Sequence, residues 1–521
     1  MSEQRLRTLV ICHDVVGHRM AGTGIRAWET ARLLARQQPT SLIAPQSIDR
    51  AGDGFTTGNY TWGDPSSLAP WLAAAEVVVA NAHVLAAHPE LASFPRPLAL
   101  DLYDPVLVEA LELHRDAHSA VRQQSFTAQQ QLLLRQLGVA DFLVCATERQ
   151  RDLYLGALLT SGRVQPADTD DDPQLRRLID VAPFGLDPQP PVRQHSLLRG
   201  ALPGVPADAE ILLWTGGLWD WLDPLTAIDA MPEICAARPR ARLVFLAGKH
   251  PGPAPAMTMP GRARAHAAAP GVLASSVLFY DEWIPYARRA DALLDADLAI
   301  TLHRSTLETT YAAVRSRFLD HLWAALPSIV TDGDAAADLV RQHDLGRVVP
   351  PAEPAALAQA VIALFEDNAA RIACASNTRD LAAHFAWQQT LAPLAAFCRR
   401  PWMRERSTSL TPPVPEYHTP VNTLDNLWHV SPQPLGAAKD AANSLTRWYI
   451  APIIDQQNAF NAGVVHALQA VTGALDDLRR AQHEIADLRS RITALEDRAS
   501  DLDHAQTQLA LYSNSQPGEP V

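Results

Sequence analysis

At 521 residues the chain exceeds what one hydrophobic core organises, and two globular domains with additions are expected. Its apolar share of 47% with 19% charged residues is ordinary for a folded soluble protein, and a formal charge of −13 argues against nucleic acid, whose phosphates demand a basic face. The five cysteines (Cys12, Cys145, Cys235, Cys374, Cys398) are scattered and lack C-x-x-C spacing, so they read as reduced thiols rather than a disulfide frame or zinc site.

The opening "MSEQRLRTLVICHD" passes from polar residues directly into an expected strand, without a signal-peptide core. No apolar run reaches the roughly 18–20 residues that a membrane helix requires. The most apolar stretch, Ala69 to Ala87, is interrupted by Glu76, Asn81 and His83. A cytoplasmic location is expected.

The first strand leads into "GHRMAGTGIRAWE", Gly17 to Glu29, a glycine turn followed by a helical pattern. Such a turn either brings backbone N–H groups against a phosphate or is a plain tight turn. Further strands follow in "EVVVANA", "RPLALDLYD" and "DFLVCAT", each a short continuous apolar run as in a sheet buried on both faces. Helix-spaced segments such as "GIRAWETARLLARQ" separate them. Strand–helix alternation predicts an α/β fold of parallel sheets. A proline-rich break at Pro183 to Pro206 divides it, giving Rossmann-like domains over residues 1–195 and 205–400. A site is expected in the cleft between them, at the carboxyl ends of strands.

The second half repeats the alternation with "EILLWTGG", "ARLVFLAG", "SVLFYDEW", "DLAITLH" and "PSIVTDG". Gly216 and Gly217 end its first strand, and Asp223-Pro224 reads as a helix N-cap and first position. The first glycine turn lacks G-x-G-x-x-G spacing and no acid closes the second strand, which makes a nicotinamide enzyme a poor fit. Lys249 closes "LVFLAGKH" in a chain whose other lysine is Lys439; it is either a phosphate-binding point charge or a solvated strand-end residue. "LHRSTLETTYAAVRSRFLDHLWAALPSIVTDGD" then supplies Arg304, Glu308, Arg315, Arg317 and Asp320. Carboxylates there can accept sugar hydroxyls and arginines can neutralise phosphate, or the set is an Arg–Asp surface network.

Beyond residue 400 lie a proline-rich linker with an aromatic segment (401–451), a heptad-patterned helix (452–511) and a tail expected to be disordered (512–521). Ile at a and Leu at d favour a parallel dimer, so a homo-oligomer through this coiled coil is expected; a helix folded back on the body is the alternative. Trp448, Tyr449, Ile450, Ile453 and Ile454 stand beside Arg447 alone, which favours protein contact over peripheral membrane contact.

In their order, "TGGLWDW", "AGKHPGP" and "STLETTYAAVRSRFLDHLWAALPSIV" resemble the nucleotide-binding domain of GT-B glycosyltransferases, specifically the retaining group known as family 4. The resemblance covers about residues 7 to 400, including a closing "HFAWQQTLAPLAAF" that in the family crosses back to the first domain. It implies transfer of a sugar from a nucleoside-diphosphate donor to an unidentified acceptor, with retention, without metal or other cofactor. Alignment on Pro327 puts Asp320 at the family's ribose-binding glutamate and Ala312 at its other glutamate, with Glu308 the nearest substitute. Leu218 and Trp221 stand near the places of the basic pair that meets the diphosphate, which shifts charge stabilisation to Lys249, Arg304, Arg315 or Arg317. Gly22, Thr23 and Gly24, with Arg26, are the implied first-domain residues facing the donor. Asp101 or Asp104 is expected to bind acceptor hydroxyls, and Asp101, Lys249 and Glu308 form the expected catalytic set. His13, His18 and His83 are either sugar contacts or packed strand-end residues. The rival readings are a degenerate transferase serving as a coiled-coil scaffold, and a nucleotide-sugar epimerase.

Overall fold

A computed structural model describes residues 5–406 except 114, 253–256 and 270, together with Arg480 and Arg491. The expected coiled coil, the aromatic segment before it and the tail lie outside the described residues. Two all-parallel sheets organise the remainder. The first runs β1 (Thr8–Ile11), β2 (Thr40–Ala44), β3 (Thr56–Asn59), β4 (Val77–Asn81), β5 (Leu98–Asp101), β6 (Phe142–Cys145) and β7 (Ile179–Val181), in spatial order 3-2-1-4-5-6-7. The second runs β8 (Glu210–Trp214), β9 (Ala241–Leu246), β10 (Val277–Tyr280), β11 (Leu298–Thr301), β12 (Ser328–Thr331) and β13 (Gly346–Val349), in order 10-9-8-11-12-13.

Alternation along each central strand feeds a core on either face of its sheet. Val10 packs with Trp28, Leu34 and Phe142, while Leu9 and Ile11 pack on the other side with Leu98 and Leu143. Leu212 and Trp214 face one layer of the second domain, Ile211 and Leu213 the other. Burying each such side chain contributes roughly 1.5–3 kcal/mol. The expected opening of the Pro224–Ala237 helix is present: Asp223 accepts from the backbone of Thr226 at 3.2 Å and from its hydroxyl at 2.7 Å, with Pro224 at the first position. A cap of this kind contributes about 1 kcal/mol.

The chain passes between the sheets twice. The proline-rich segment leaves the first domain and is held by Asp295, which accepts from the backbones of Leu197 and Leu198 at 2.7 Å. The return passes alongside the departure: Leu186 donates to the Phe385 carbonyl at 2.7 Å, and Trp387 donates to the Leu186 carbonyl at 3.3 Å. Residues 387–398 then pack on the first domain, with Phe397 stacked on Phe142 at 5.1 Å. Buried Asp141 fastens the end of this segment by accepting from the Arg404 backbone at 2.9 Å and from the Arg406 guanidinium. A cavity of about 560 Å3, lined in part by Thr8, Thr40, Thr56 and Trp71, opens at the strand starts of the first sheet. The expected site residues lie at the opposite ends of the strands. Among the described residues no helix is long and apolar enough to cross a membrane.

Candidate active site

In each sheet the strand order reverses direction beside the first strand, between β1 and β4 and between β8 and β11. The connections there diverge and leave a crevice at the carboxyl ends. The sequence-expected residues leave from these ends: Asp14 and the glycine turn after β1, His83 after β4, Asp101 and Asp104 at and after β5, Gly216 and Gly217 after β8, Lys249 after β9, and Arg304 and Glu308 after β11.

The glycine turn opens the Gly22–Ala35 helix. Its N-cap residue is Ala21, which offers no side-chain cap, and its first turn carries no acid. Gly24 is required by packing, since a Cβ there would lie 2.2 Å from the Val15 carbonyl oxygen. Across the cleft the Ser316–Trp323 helix also starts without a side-chain cap or an acid in its first turn. The two starts meet: a Cβ at Gly22 would stand 3.4 Å from the Ser316 hydroxyl. Each N-terminus exposes unpaired N–H groups and a partial positive charge.

On the first-domain side Asp101, expected as a catalytic carboxylate, is instead the counter-ion of Arg26. The guanidinium grips both carboxylate oxygens at 2.5 and 3.1 Å and also donates to the carbonyls of Ala182 (2.8 Å) and Pro183 (3.0 Å). Arg26 thus ties β5 to the chain after β7. Asp104 is different. Burial and the neighbouring Asp101 carboxylate push its carboxyl up to about 6. His13 and His83 lie with ring centres 4.9 Å apart, and burial pushes His83 down to about 4, which leaves it neutral. Among the described residues His13 Nδ1 has no hydrogen-bond partner. Asp14, 3.4 Å from His250 of the second domain, adds a link that no sequence pattern signals. His18 accepts through its backbone carbonyl from the Tyr286 N–H at 3.1 Å.

In the second domain Glu308 is 1% exposed; Arg315 donates to its Oε2 at 2.8 Å, while Oε1 has no partner. Arg304 donates to the Asp220 carbonyl at 2.6 Å. Arg317 is buried beside Gly217, whose carbonyl accepts from Nη2 at 2.8 Å. Asp320, one helical turn beyond Arg317, lies 3.4 Å from Arg289 and is partly exposed; burial raises its carboxyl. Lys249 is exposed between Gly248 and His250. Leu218 and Trp221 are core residues, with Trp221 stacked on Trp219 at 5.2 Å. A network that sequence reasoning missed supports this floor: His321, pushed down to about 3 by burial, joins the Thr215 hydroxyl (3.0 Å) to the Ser328 hydroxyl (3.1 Å). The domains are further joined by Tyr103 Oη donating to the Val314 carbonyl at 3.1 Å, and by Arg149 to the Gly333 carbonyl at 3.0 Å and Asp338 at 2.5 Å.

Residues 209–367 match the family described as Glycosyl transferases group 1. Among solved structures, sucrose-phosphate synthase from Thermosynechococcus elongatus superposes with a TM-score of 0.55 at 15% identity, over 76% of this chain and 98% of that one. Anabaena HepE, in a complex with UDP and glucose, gives a TM-score of 0.55 at 16% identity, over 75% of this chain and 99% of that one. The same protein with UDP-glucose gives 0.54 at 16% identity, over 75% and 100%. No curated protein matches the sequence. Residues 209–367 are therefore similar to group 1 glycosyltransferases, in a chain with the two-domain GT-B fold.

Proposed function

We propose that the chain transfers a sugar from a nucleoside-diphosphate donor to an acceptor hydroxyl, with retention at the anomeric carbon and without a metal, in the synthesis of a surface polysaccharide or glycoconjugate. The observation that carries this reading is the meeting of two uncapped helix N-termini, at Gly22 and Ser316, at the switch points of both sheets. Two positive helix ends held together are unfavourable unless an anion lies between them, and a diphosphate suits the place. Fixed dipoles and cations then stabilise the charge that develops on the leaving group.

Glu308 Oε1, buried and unpartnered, is the group proposed to accept a hydroxyl of the donor sugar. Asp320 is proposed for the donor ribose, and Asp104 replaces Asp101 as the carboxylate facing the acceptor. HepE was solved with UDP and with UDP-glucose, so UDP-sugars are the first donors to try. The core positions of Leu218 and Trp221 favour the second reading, a degenerate transferase acting as a scaffold through its C-terminal helix.

A thermal-shift screen of the full chain with UDP-, GDP- and ADP-sugars separates the two. A ligand at about 100 times its Kd should stabilise by about 2.7 kcal/mol. A shift with one nucleotide, followed by slow donor hydrolysis releasing that diphosphate, supports the transferase. No shift with any of the three sinks it in favour of the scaffold.

A further inference from the structure

If the donor reading holds, some cation must meet the departing diphosphate, and the places of the family's basic pair hold the core residues Leu218 and Trp221. Four cations are candidates, and their surroundings separate them. Arg315 is already neutralised by Glu308 at 2.8 Å. Arg304 also holds one carbonyl, that of Asp220, and no carboxylate among the described residues, but it is partly exposed, so water reaches it; Lys249 is exposed on its loop. Arg317 is 7% exposed, yet among the described residues it forms no ion pair with a carboxylate. Its guanidinium makes one hydrogen bond among the described residues, to the Gly217 carbonyl, and Nη1 has no partner there. The guanidinium lies beneath the Gly216 turn, where a Cβ would stand 3.5 Å from Nη2, and 5.6 Å from the centre of the Trp214 ring.

A buried cation without a counter-ion is unfavourable, and here burial and the nearby Arg315 push Arg317 down to about 9. Only an arriving anion relieves that. We propose that Arg317 receives the departing diphosphate in this chain, in place of the family's basic pair. In the transfer step the bond between the sugar C1 and the β-phosphate oxygen breaks with its electron pair on the phosphate. The acceptor oxygen bonds to C1, and its proton passes to the released diphosphate. Arg317 Nη1 donates to that diphosphate as its charge grows, and the adjoining start of the Ser316–Trp323 helix acts in the same direction.

The test is calorimetric titration of the full chain with UDP, GDP and ADP and, for whichever binds, with the matching monophosphate and nucleoside. Wild type should favour the diphosphate over the monophosphate. Arg317→Met should reduce that preference by about tenfold or more while nucleoside affinity stays within about twofold, and Lys249→Ala should keep it. A fully retained preference in Arg317→Met, or its loss in Lys249→Ala instead, overturns the assignment. Failure of the wild type to bind any of the three diphosphates overturns the donor reading on which the assignment rests. Melting curves establish that each variant is folded. Should the methionine variant not fold, Arg317→Lys is read in the same way: it should weaken the preference without changing nucleoside affinity, and an unchanged preference overturns the assignment.

Discussion

The two switch points are built on the same plan but treat their buried arginines in opposite ways. Arg26, in the helix after β1, is matched by Asp101 and by two carbonyls, so its charge is fully committed to the fold. Arg317, in the helix that packs under the turn after β8, has one carbonyl and, among the described residues, no carboxylate within ion-pair distance. The same side chain at equivalent ends of two sheets is a strut in one domain and an available charge in the other. What decides between them is the carboxylate across the strand ends, not the arginine.

Breaking the first arrangement should have the largest effect. Arg26→Met leaves Asp101 and the carbonyls of Ala182 and Pro183 without a donor, and denaturant unfolding should show a loss of about 3–5 kcal/mol. Against that, Asp101→Asn keeps acceptors for Arg26 and should cost less; equal losses would mean the pair is not the source of the effect. Next comes the positive meeting point. Gly22→Asp places a carboxylate beside the Ser316 helix start, where it should occupy the anion position itself. Nucleoside-diphosphate affinity should then fall by roughly tenfold, about 1.4 kcal/mol, with no loss of melting temperature.

Gly216 sharpens the contrast from the backbone side. Its φ of +72° is a left-handed conformation, so Gly216→Ala should cost about 1–2 kcal/mol by chemical denaturation. The same change at Gly22, whose φ is not positive, should cost less. The remaining effect is one of pH and concerns Asp104. Its carboxyl is raised from 3.8 to about 6, so the native state holds more protons than the unfolded chain between those values. Stability attributable to this group is therefore present below pH 4 and is lost as pH rises through 6. The full shift corresponds to a loss of about 3 kcal/mol, and a pH series on Asp104→Asn should lack it.

The sequence disclosed the central strands because their residues are buried on both faces and leave continuous apolar runs; β1, β4, β5 and β6 and the five strands from β8 to β12 all lie within quoted segments. It hid β3 (TTGN), β7 (IDV) and β13 (GRVV), which are short, polar or half-exposed at or near sheet edges and owe their pairing to a neighbour. The short run of β2, TSLIA, also went unread. For the site, the residue types were legible and the pairings were not. Arg26 and Asp101 are both candidates for a substrate in the sequence, but nothing across their separation of 75 positions shows that they hold each other. Likewise no spacing rule brings Thr215, His321 and Ser328 together, because only the packing of the Ser316–Trp323 helix between β8 and β12 does so. The Leu218 and Trp221 departures were readable; that both positions face inward needed the fold.

The two passages of the chain between the domains lie side by side, bonded through Leu186, Phe385 and Trp387. A joint made of a single strand permits swivel about its own axis. Two strands bonded together behave instead like the pin of a door: they resist torsion and sliding, and leave rotation about one line as the soft motion. Were the crevice to open, it would do so chiefly by that one rotation, and shutting would bring the starts of the Gly22 and Ser316 helices back to the same register.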